Sequence, residues 1–515
     1  MKKSIIAALS IVSALTVSAA TFTWDDKGDH LWTTTNNWNA VSLPTTNDTV
    51  HINNSTGNPS SVFLANQNAP ETNGFANVVI GNTAGSDATL YITDGSVLTT
   101  VASTIGASGT GTVVMADSSY KNTSGVGNII LGNTAVASGT LIITNGNLTG
   151  SYGITVGASG KGFIEMNGGA MSFSRTITLG SGASGSGALC FRSGTINLTT
   201  DFVVGANGVG WANVFSNTVM SVRSTLIGEY ASGEGVLIIE NGGRVTCSAT
   251  QSCKVGASGN GILNLRGGIV GSSSGSHFTV RENAGAFGLV RGWGRIHDFR
   301  NIRNSGIIVA DGDGENRELH MNINRHDGYL SNPIDNEPYG TNGWYAVNNG
   351  KLTIVLRVAN GIGTGLGYAT PEFCWGETEG DDTPDLVNSF RVSFAGTDNN
   401  GTFTASVLAP DRDDLPPLPN IPVVGLWNAT FTRDFSSVDF ECRYDHTRVP
   451  SGNTVKLMRW DADAQKWHGL GSHETGTQAS PHRVKVYTLP PNGTAERIGL
   501  IGAFAVPAAT RIIIR

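Results

Sequence analysis

The sequence predicts an all-β protein: a right-handed parallel β-helix followed by an antiparallel β-sandwich-like domain. The chain has 68 glycines and only 14% charged residues, few of the Lys and Glu side chains that long helices favour. An apolar residue followed by glycine also recurs every 23 to 28 residues. These glycines are Gly81, Gly106, Gly132, Gly157, Gly180, Gly205, Gly228 and Gly256. A repeat of about 25 residues is typical of a solenoid built from stacked coils.

Most repeats contain a strand in which apolar residues alternate with others. Side chains two residues apart point to the same face of a strand, so each apolar pair is expected to face the interior. A unit this short buries its apolar face only against another copy, which predicts stacked coils. Turns rich in Gly, Asn and Asp follow the strands. The pairs are Leu90 and Ile92, Val113 and Met115, Leu141 and Ile143, Ile164 and Met166, Leu189 and Phe191, Leu237 and Ile239, and Leu263 and Leu265. The unit with Trp211 and Phe215 departs from this plan.

The N-terminal region predicts export and a cap. Residues 1–20 have the order of a secretory signal peptide, with Met1-Lys2-Lys3, an apolar run and then small residues at Ser18-Ala19-Ala20. Residues 21–74 precede the repeats of residues 75–312. They contain three tryptophans, Trp24, Trp32 and Trp38. An open solenoid edge would template aggregation, so this segment is predicted to cap the first coil.

Residues 313–515 predict a second β-rich domain. The repeat has ended by about residue 323, where charge and tryptophan content increase. Alternating stretches separated by Gly, Asn, Asp and Pro, such as residues 390–394 and 402–407, are typical of an antiparallel sandwich. Five prolines lie within residues 410–422. This segment is either a stiff connector between two subdomains or a long loop within one.

Residues 21–312 resemble bacterial autotransporter-associated β-strand repeat proteins. The resemblance lies in the tryptophan-rich opening, from Thr23-Trp24 to Asn47-Asp48-Thr49-Val50, and in the coils that contain Ile-Gly. It implies a secreted parallel β-helix that acts in surface display and adhesion rather than in a chemical reaction. A true autotransporter ends in a membrane β-barrel, and residues 313–515 lack the regular series of about ten-residue alternating strands that such a barrel requires.

Charge and cysteine content restrict the partners. The net charge is −7 and no cluster of Lys and Arg is present, so nucleic acid is not an expected partner. After the signal peptide, no stretch of about 18 apolar residues would form a transmembrane segment. Of the five cysteines, only Cys247 and Cys253 lie close together. They are expected to form a small disulfide or to remain two buried thiols.

No catalytic constellation is predicted. Cleavage of a polysaccharide needs paired carboxylates, or a carboxylate-held calcium ion beside a basic residue. Most acidic residues of the repeats are scattered, about one per coil. Only Glu229, Glu234 and Glu240 lie near one another in the sequence, and a solvated solenoid face explains them.

Asp311, Asp313 and Glu315 form a candidate calcium site. Their carboxylates occupy alternating positions, which resembles part of a calcium-binding loop. The downstream bidentate Glu of an EF-hand is missing, and residues 319–321 occupy that region. The other interpretation, which we favour, is a polar turn that leaves the solenoid. No other cofactor is predicted.

Histidines and tryptophans of the C-terminal third have two interpretations each. The histidines are His468, His473 and His482. Their spacing matches no metal-binding pattern, which favours surface loop residues. The tryptophans are Trp344, Trp375, Trp427, Trp460 and Trp467. They are expected to fill the core, and the alternative is an exposed surface on which sugars stack.

The sequence therefore predicts a secreted, cell-surface or outer-membrane-associated β-solenoid with a structural or adhesin-type role and no enzymatic activity. Its expected partner is an extracellular or cell-envelope glycan or protein. One alternative is a carbohydrate-active β-helix enzyme, either a polysaccharide lyase or a hydrolase. The other is a glycan-binding protein.

Overall fold

A computed structural model describes most of the chain. The described residues are 19–25, 29–53, 60–65, 68–69, 74–123, 127–248, 253–273, 276–280, 285–299, 301–304, 306–312, 317–323, 334–335, 344–348, 350–357, 389–395, 402–408, 410, 412–431, 437–443, 449–470, 472–475, 483–486 and 499–508. The described part is a parallel β-solenoid of about 11 turns followed by antiparallel strands, which confirms the predicted fold class. Its helical structure is one short 3₁₀ helix, Thr35–Asn37, and none of its helices is long and apolar enough to cross a membrane.

The strands of the first half of the solenoid are short, and several bend through a corner. They are β1 Thr21–Thr23, β2 Thr49–Ile52, β3 Ser60–Ala65, β4 Asn68–Ala69, β5 Phe75–Ile80, β6 Asp87–Thr93, β7 Val97–Ile105, β8 Thr110–Met115, β9 Ser119–Asn122, β10 Ile129–Leu131, β11 Ser138–Gly150, β12 Ile154–Val156, β13 Lys161–Phe173, β14 Ile177–Leu179, β15 Ser186–Phe191 and β16 Thr195–Leu198.

The second half of the solenoid continues the same pattern. Its strands are β17 Asp201–Val204, β18 Val209–Val214, β19 Val219–Val222, β20 Ser224–Ile227, β21 Glu234–Glu240, β22 Arg244–Cys247, β23 Cys253–Val255, β24 Asn260–Ser272, β25 His277–Val280, β26 Phe287–Phe299, β27 Asn301–Asn304, β28 Ile307–Asp311, β29 Arg317–Ile323, β30 Ile334–Asp335, β31 Trp344–Asn348 and β32 Gly350–Arg357.

Parallel pairing between successive coils produces three ladders, so each coil has three sides. The first ladder joins β1, β2, β5, β7, β10, β12, β14, β17, β20, β23, β25, β27 and β30. The second joins β3, β6, β8, β11, β13, β15, β18, β21, β24, β26, β28 and β31. The third joins β4, β7, β9, β11, β13, β16, β19, β22, β24, β26, β29 and β32.

The core runs along the inside of these ladders. All seven apolar pairs predicted from the sequence are buried on the second ladder, in register with the equivalent positions of the neighbouring coils. The unit with Trp211 also keeps the register, because β18 pairs with β15 and β21 and buries Ala212 and Val214. Contact between equivalent side chains of successive coils makes the core continuous.

The recurring glycine lies at the corner between the first and second ladders. Gly157 has a φ of +70°, and a Cβ on this residue would lie 2.2 Å from the carbonyl oxygen of Ser186 in the next coil. The corner therefore requires glycine for two reasons, a left-handed backbone and a close approach of the neighbouring coil. Both reasons recur once per coil, which explains the period.

Tryptophans close the N-terminal end of the solenoid. Trp38 is completely buried, and its ring contacts Trp24 and Trp32 edge to face, each at a centroid distance of 4.9 Å. Trp38 also contacts Phe22 on β1, and Trp32 contacts Phe75 on β5. These aromatic contacts cover the apolar interior at the first described coils.

Antiparallel strands close the other end. They are β33 Ser389–Ala395, β34 Thr402–Leu408, β35 Val423–Phe431, β36 Ser437–Arg443, β37 Asn453–Asp461, β38 Lys466–Gly469, β39 Ser472–Thr475, β40 Arg483–Val486 and β41 Gly499–Pro507. Strand β34 pairs antiparallel with β32, the last strand of the third ladder, and the sheet continues through β35, β41, β37 and β38. A separate sheet contains β33, β36, β40 and β39.

The proline-rich segment connects two neighbouring strands of one sheet. Strands β34 and β35 flank it and pair with each other. Leu415, Leu418 and Ile421 pack against the buried cluster that includes Trp467, and the Trp467 indole donates a hydrogen bond of 3.0 Å to the Pro417 carbonyl. The segment therefore links two paired strands of one sheet, and whether residues 313–515 form one domain or two stays a prediction.

Candidate functional site

A groove of about 590 Å³ lies along the corner between the second and third ladders. It spans four successive coils, represented by Asn241, Gly267, Trp293 and Arg317. At about 4.8 Å per coil, four coils extend roughly 14 Å along the solenoid. The volume lies in the range of pockets that bind small molecules. The other lining residues are Gly242, Ile269, Gly294, Arg295, Glu318 and His320.

Glycines at the corner leave the groove open. Gly242, Gly267 and Gly294 have φ angles of +81°, +86° and +137°, values that the sharp bend requires and that other residues rarely adopt. The same glycines place no side chains over the corner. The backbone geometry of the bend therefore also creates the space for a ligand.

Trp293 and Arg317 form one wall of the groove. The central guanidinium carbon of Arg317 lies 4.0 Å from the centre of the Trp293 ring, within the distance of a cation–π contact. Trp293 lies on β26 and Arg317 on β29, and these strands are paired in the third ladder. Because the two residues are held by hydrogen-bonded strands, the wall is preorganised.

Glu318 is held in its ionised form beside this wall. His320 Nδ1 and Lys351 Nζ each lie 3.5 Å from Glu318 Oε1. The hydrogen bond with His320 is the main cause that lowers the pKa of Glu318, to about 2. A hydrogen bond with Thr353 and the charge of Lys351 act in the same direction, whereas partial burial opposes the shift. At neutral pH Glu318 is therefore an acceptor and a poor proton donor.

Arg295 is the exposed cation of the groove. It pairs in register with His320 of the next coil and with Ile269 of the previous one, so all three lie on the outer face of the third ladder. Within the described part of the chain, no residue forms an ion pair or hydrogen bond with its guanidinium. An arginine side chain has five donor groups with which it can bind a ligand.

The three glutamates singled out in the sequence lie outside the groove. Glu234 and Glu240 begin and end β21, so they are roughly 20 Å apart along the strand. Glu240 lies 3.5 Å from Arg266. Glu229 is half-buried, and its burial, followed by the charge of Asp201, raises its pKa. Neither Glu229 nor Glu234 lines the groove.

The candidate calcium residues are only partly described. Asp311 ends β28 and accepts a hydrogen bond from Arg291 of the neighbouring coil. Asp313 and Glu315 lie outside the described residues, so the calcium site stays a prediction. Among the described residues, no group of three or more His, Cys, Asp or Glu side chains is arranged to hold a metal.

The C-terminal candidates are mostly core or lie outside the described part. Trp427 and Trp467 are buried, and Trp460 packs on Trp467 at a centroid distance of 5.6 Å, as the core interpretation expects. His468 Nε2 lies 3.4 Å from Asp461 Oδ2. The side chains of Trp344 and His473 and the whole of Trp375 and His482 lie outside the described residues.

Cys247 and Cys253 are free thiols in the solenoid core. Both are completely buried, and Thr225 Oγ1 of the preceding coil lies 3.6 Å from the sulfur of Cys247. The structure therefore has the second of the two states expected from the sequence, in which the thiols are buried and not bridged.

The groove residues were not identified from the sequence. Those with charged or aromatic side chains follow Gly256, the last of the recurring glycines: Trp293, Arg295, Arg317, Glu318 and His320. The available signal was the close pair Trp293 and Arg295, which lie in register with Arg266 and Ile269 of the preceding coil. Pairing of these positions across coils was needed to bring them together.

We compared the chain with models of protein families, with characterised proteins and with solved structures. None of the three comparisons found a match. The resemblance to autotransporter-associated repeat proteins rests on the tryptophan-rich opening and on the coils, and it remains a prediction.

Proposed function

We propose that this chain is an exported, adhesin-type β-solenoid that binds a saccharide in the groove of Trp293 and does not cleave it. The observation that carries the proposal is an aromatic ring in a groove that also offers charged and amide groups. Saccharide rings have apolar faces that stack on aromatic side chains, and their hydroxyl groups pair with such polar groups. The signal-peptide-like residues 1–20 support export, and the resemblance of residues 21–312 supports surface display.

The stacked architecture supports a binding role in a second way. The groove lies on paired strands near the end of a long, continuous core, a rigid arrangement that loses little entropy when a ligand binds. The cap at one end and the antiparallel sheet at the other leave the flank as the accessible surface. A flank of this kind suits attachment to an extended polymer.

A glycan array with the purified full chain tests the proposal. We expect binding to a limited set of saccharides, and about a two- to tenfold loss of affinity for Trp293→Ala, because an aromatic contact contributes on the order of 0.5 to 1.5 kcal/mol. Tyr230→Ala is the matched control, since Tyr230 is an exposed aromatic residue outside the groove. An array without any bound glycan, or equal binding by both variants, would contradict the proposal.

A polysaccharide lyase is the second candidate, because His320 contacts the ionised Glu318 in the same groove as Arg295. A lyase needs a base near a cation that neutralises the sugar carboxylate, and these residue types supply both roles. A hydrolase fits less well, because Glu318 with its low pKa is a poor general acid. Release of unsaturated oligosaccharides from a uronic-acid polymer, abolished by His320→Ala, would replace the binding proposal by the lyase.

A further inference from the structure

We propose that the groove selects an anionic saccharide, one that bears a carboxylate or a sulfate group, and that Arg295 is the residue that recognises the charge. This inference rests on the proposed saccharide binding and specifies the class of ligand.

The groove is cationic in an acidic protein. The chain has a net charge of −7, yet Arg295 and Arg317 line the groove and Lys351 lies beside it, against the single carboxylate of Glu318. Glu318 is already in contact with Lys351 and His320. Among the described residues that line the groove, the two arginines outnumber the single carboxylate.

The two arginines have different roles. Arg317 contacts Trp293, with its guanidinium carbon 4.0 Å from the centre of the ring. Arg295 is exposed and lacks a protein partner among the residues described. A guanidinium group binds carboxylate and sulfate oxygens in a forked, two-point geometry, which a neutral hydroxyl group does not match. Arg295 is therefore the residue that distinguishes a charged sugar from a neutral one.

The position of Arg295 relative to Trp293 fits this role. The two residues are separated only by Gly294, which has no side chain to shield one from the other. A sugar ring that contacts the aromatic wall would have a substituent within reach of Arg295. Ile269, the register partner of Arg295 in the preceding coil, adds an apolar surface next to the charge.

Calorimetry with defined oligosaccharides tests the inference. The probes are trigalacturonate, its fully methyl-esterified form and a sulfated trisaccharide, each titrated into the full chain at low and at moderate salt. We expect the methyl ester to bind about tenfold or more weakly than trigalacturonate or the sulfated probe, whichever of the two binds tighter, and Arg295→Ala to remove this difference. Comparison of the two anionic probes identifies the charged group.

Two further variants separate the effect of the positive charge of Arg295 from the effect of its forked guanidinium geometry. Arg295→Lys keeps the charge but loses the fork, so its affinity for the preferred anionic probe should be intermediate. Arg175→Ala removes one exposed positive charge far from the groove and should bind as the unmodified chain does. Circular dichroism and thermal unfolding establish that each variant is folded.

The possible outcomes distinguish the inference from the function on which it rests. Equal binding of the neutral and anionic probes, unaffected by Arg295→Ala, would overturn the anionic specificity and leave saccharide binding intact. Failure of every saccharide to bind, here and on the glycan array, would overturn both.

Discussion

Gly157 and Ser186 lie one coil apart, and their backbones approach so closely that a Cβ atom on Gly157 would lie 2.2 Å from the Ser186 carbonyl oxygen. The equivalent glycines of the other coils have similar surroundings, with φ angles from +65° to +71°. The close approach and the left-handed backbone are separable, because other glycines of the solenoid have only one of the two properties.

Gly157→Ala is expected to destabilise the chain more than Gly85→Ala. Gly85 also has a left-handed backbone, with φ of +77°, but a Cβ atom added to it would have no other atom within 4 Å. In Gly85→Ala, the free energy of unfolding should decrease by about 1 kcal/mol because of the left-handed conformation. In Gly157→Ala, it should decrease by ~1 to 3 kcal/mol more than in Gly85→Ala, because the coils must also separate. Urea unfolding measures both. Equal losses would mean that the coils accommodate the methyl group.

Phe191→Ala is expected to remove about 3 to 5 kcal/mol from the free energy of unfolding, because the ring is completely buried and its loss leaves a cavity. Phe63→Ala is the control, since this ring is 36% exposed and stacks on Tyr91 at the surface. The free energy of unfolding of Phe63→Ala should decrease by a smaller amount. Thermal and chemical unfolding of both variants provide the comparison, and a control as destabilised as Phe191→Ala would contradict the described core.

Glu318→Gln is expected to reduce stability at neutral pH and to have little effect near pH 2. Because the folded-state pKa of Glu318 is lowered from 4.5 to about 2, its ionised form stabilises the fold above pH 4.5, and this stabilisation disappears as the pH falls towards 2. Partial exposure allows salt to weaken the effect. Stability curves from pH 2 to 7 test it, with Glu234→Gln as an exposed control. A constant difference across this range would contradict the assignment.

Glu229→Gln is expected to increase stability at neutral pH. Burial and the nearby charge of Asp201 raise the pKa of Glu229, so the folded state favours the protonated form and loses stability as the pH rises through the ordinary value of 4.5 and then through the raised value. A neutral amide avoids this loss. Glu240→Gln, which instead loses the contact with Arg266, should leave stability unchanged or slightly reduced. A decrease for Glu229→Gln would contradict the prediction.

Cys190, Cys247 and Cys253 are expected to resist alkylation in the folded chain and to react once the chain is unfolded without reductant. All three are buried free thiols, and burial raises the pKa of Cys190, which lowers its reactivity further. Peptide mass spectrometry after alkylation identifies each site. If Cys247 and Cys253 became labelled only after reduction, they would be bridged in the isolated protein.

Much of the solenoid was predictable because its constraints are local and repeat. The apolar pairs and the corner glycines lie at fixed positions within about 25 residues, so a single sequence displays the same requirement several times. The tryptophans of residues 21–74 stand out for a related reason, because large aromatic residues cluster where the period is missing.

The groove and the C-terminal sheet were less predictable because they depend on pairing between distant segments. Trp293 meets Arg317 only when β26 and β29 are in register. Strand β41 lies between β35 and β37, an order that the local alternation of residues does not reveal. Asp311 was considered as a calcium ligand, and its contact with Arg291 depends on the pairing of β26 with β28.

The three parallel ladders also determine how the chain responds to a pulling force. Their hydrogen bonds run along the solenoid axis, so tension between the tryptophan cap and the antiparallel sheet stretches these bonds lengthwise and detaches one coil at a time. Each detached coil of about 25 residues releases roughly 80 Å of extended chain. The solenoid would therefore lengthen in steps under tension, and each step would absorb part of the applied mechanical work.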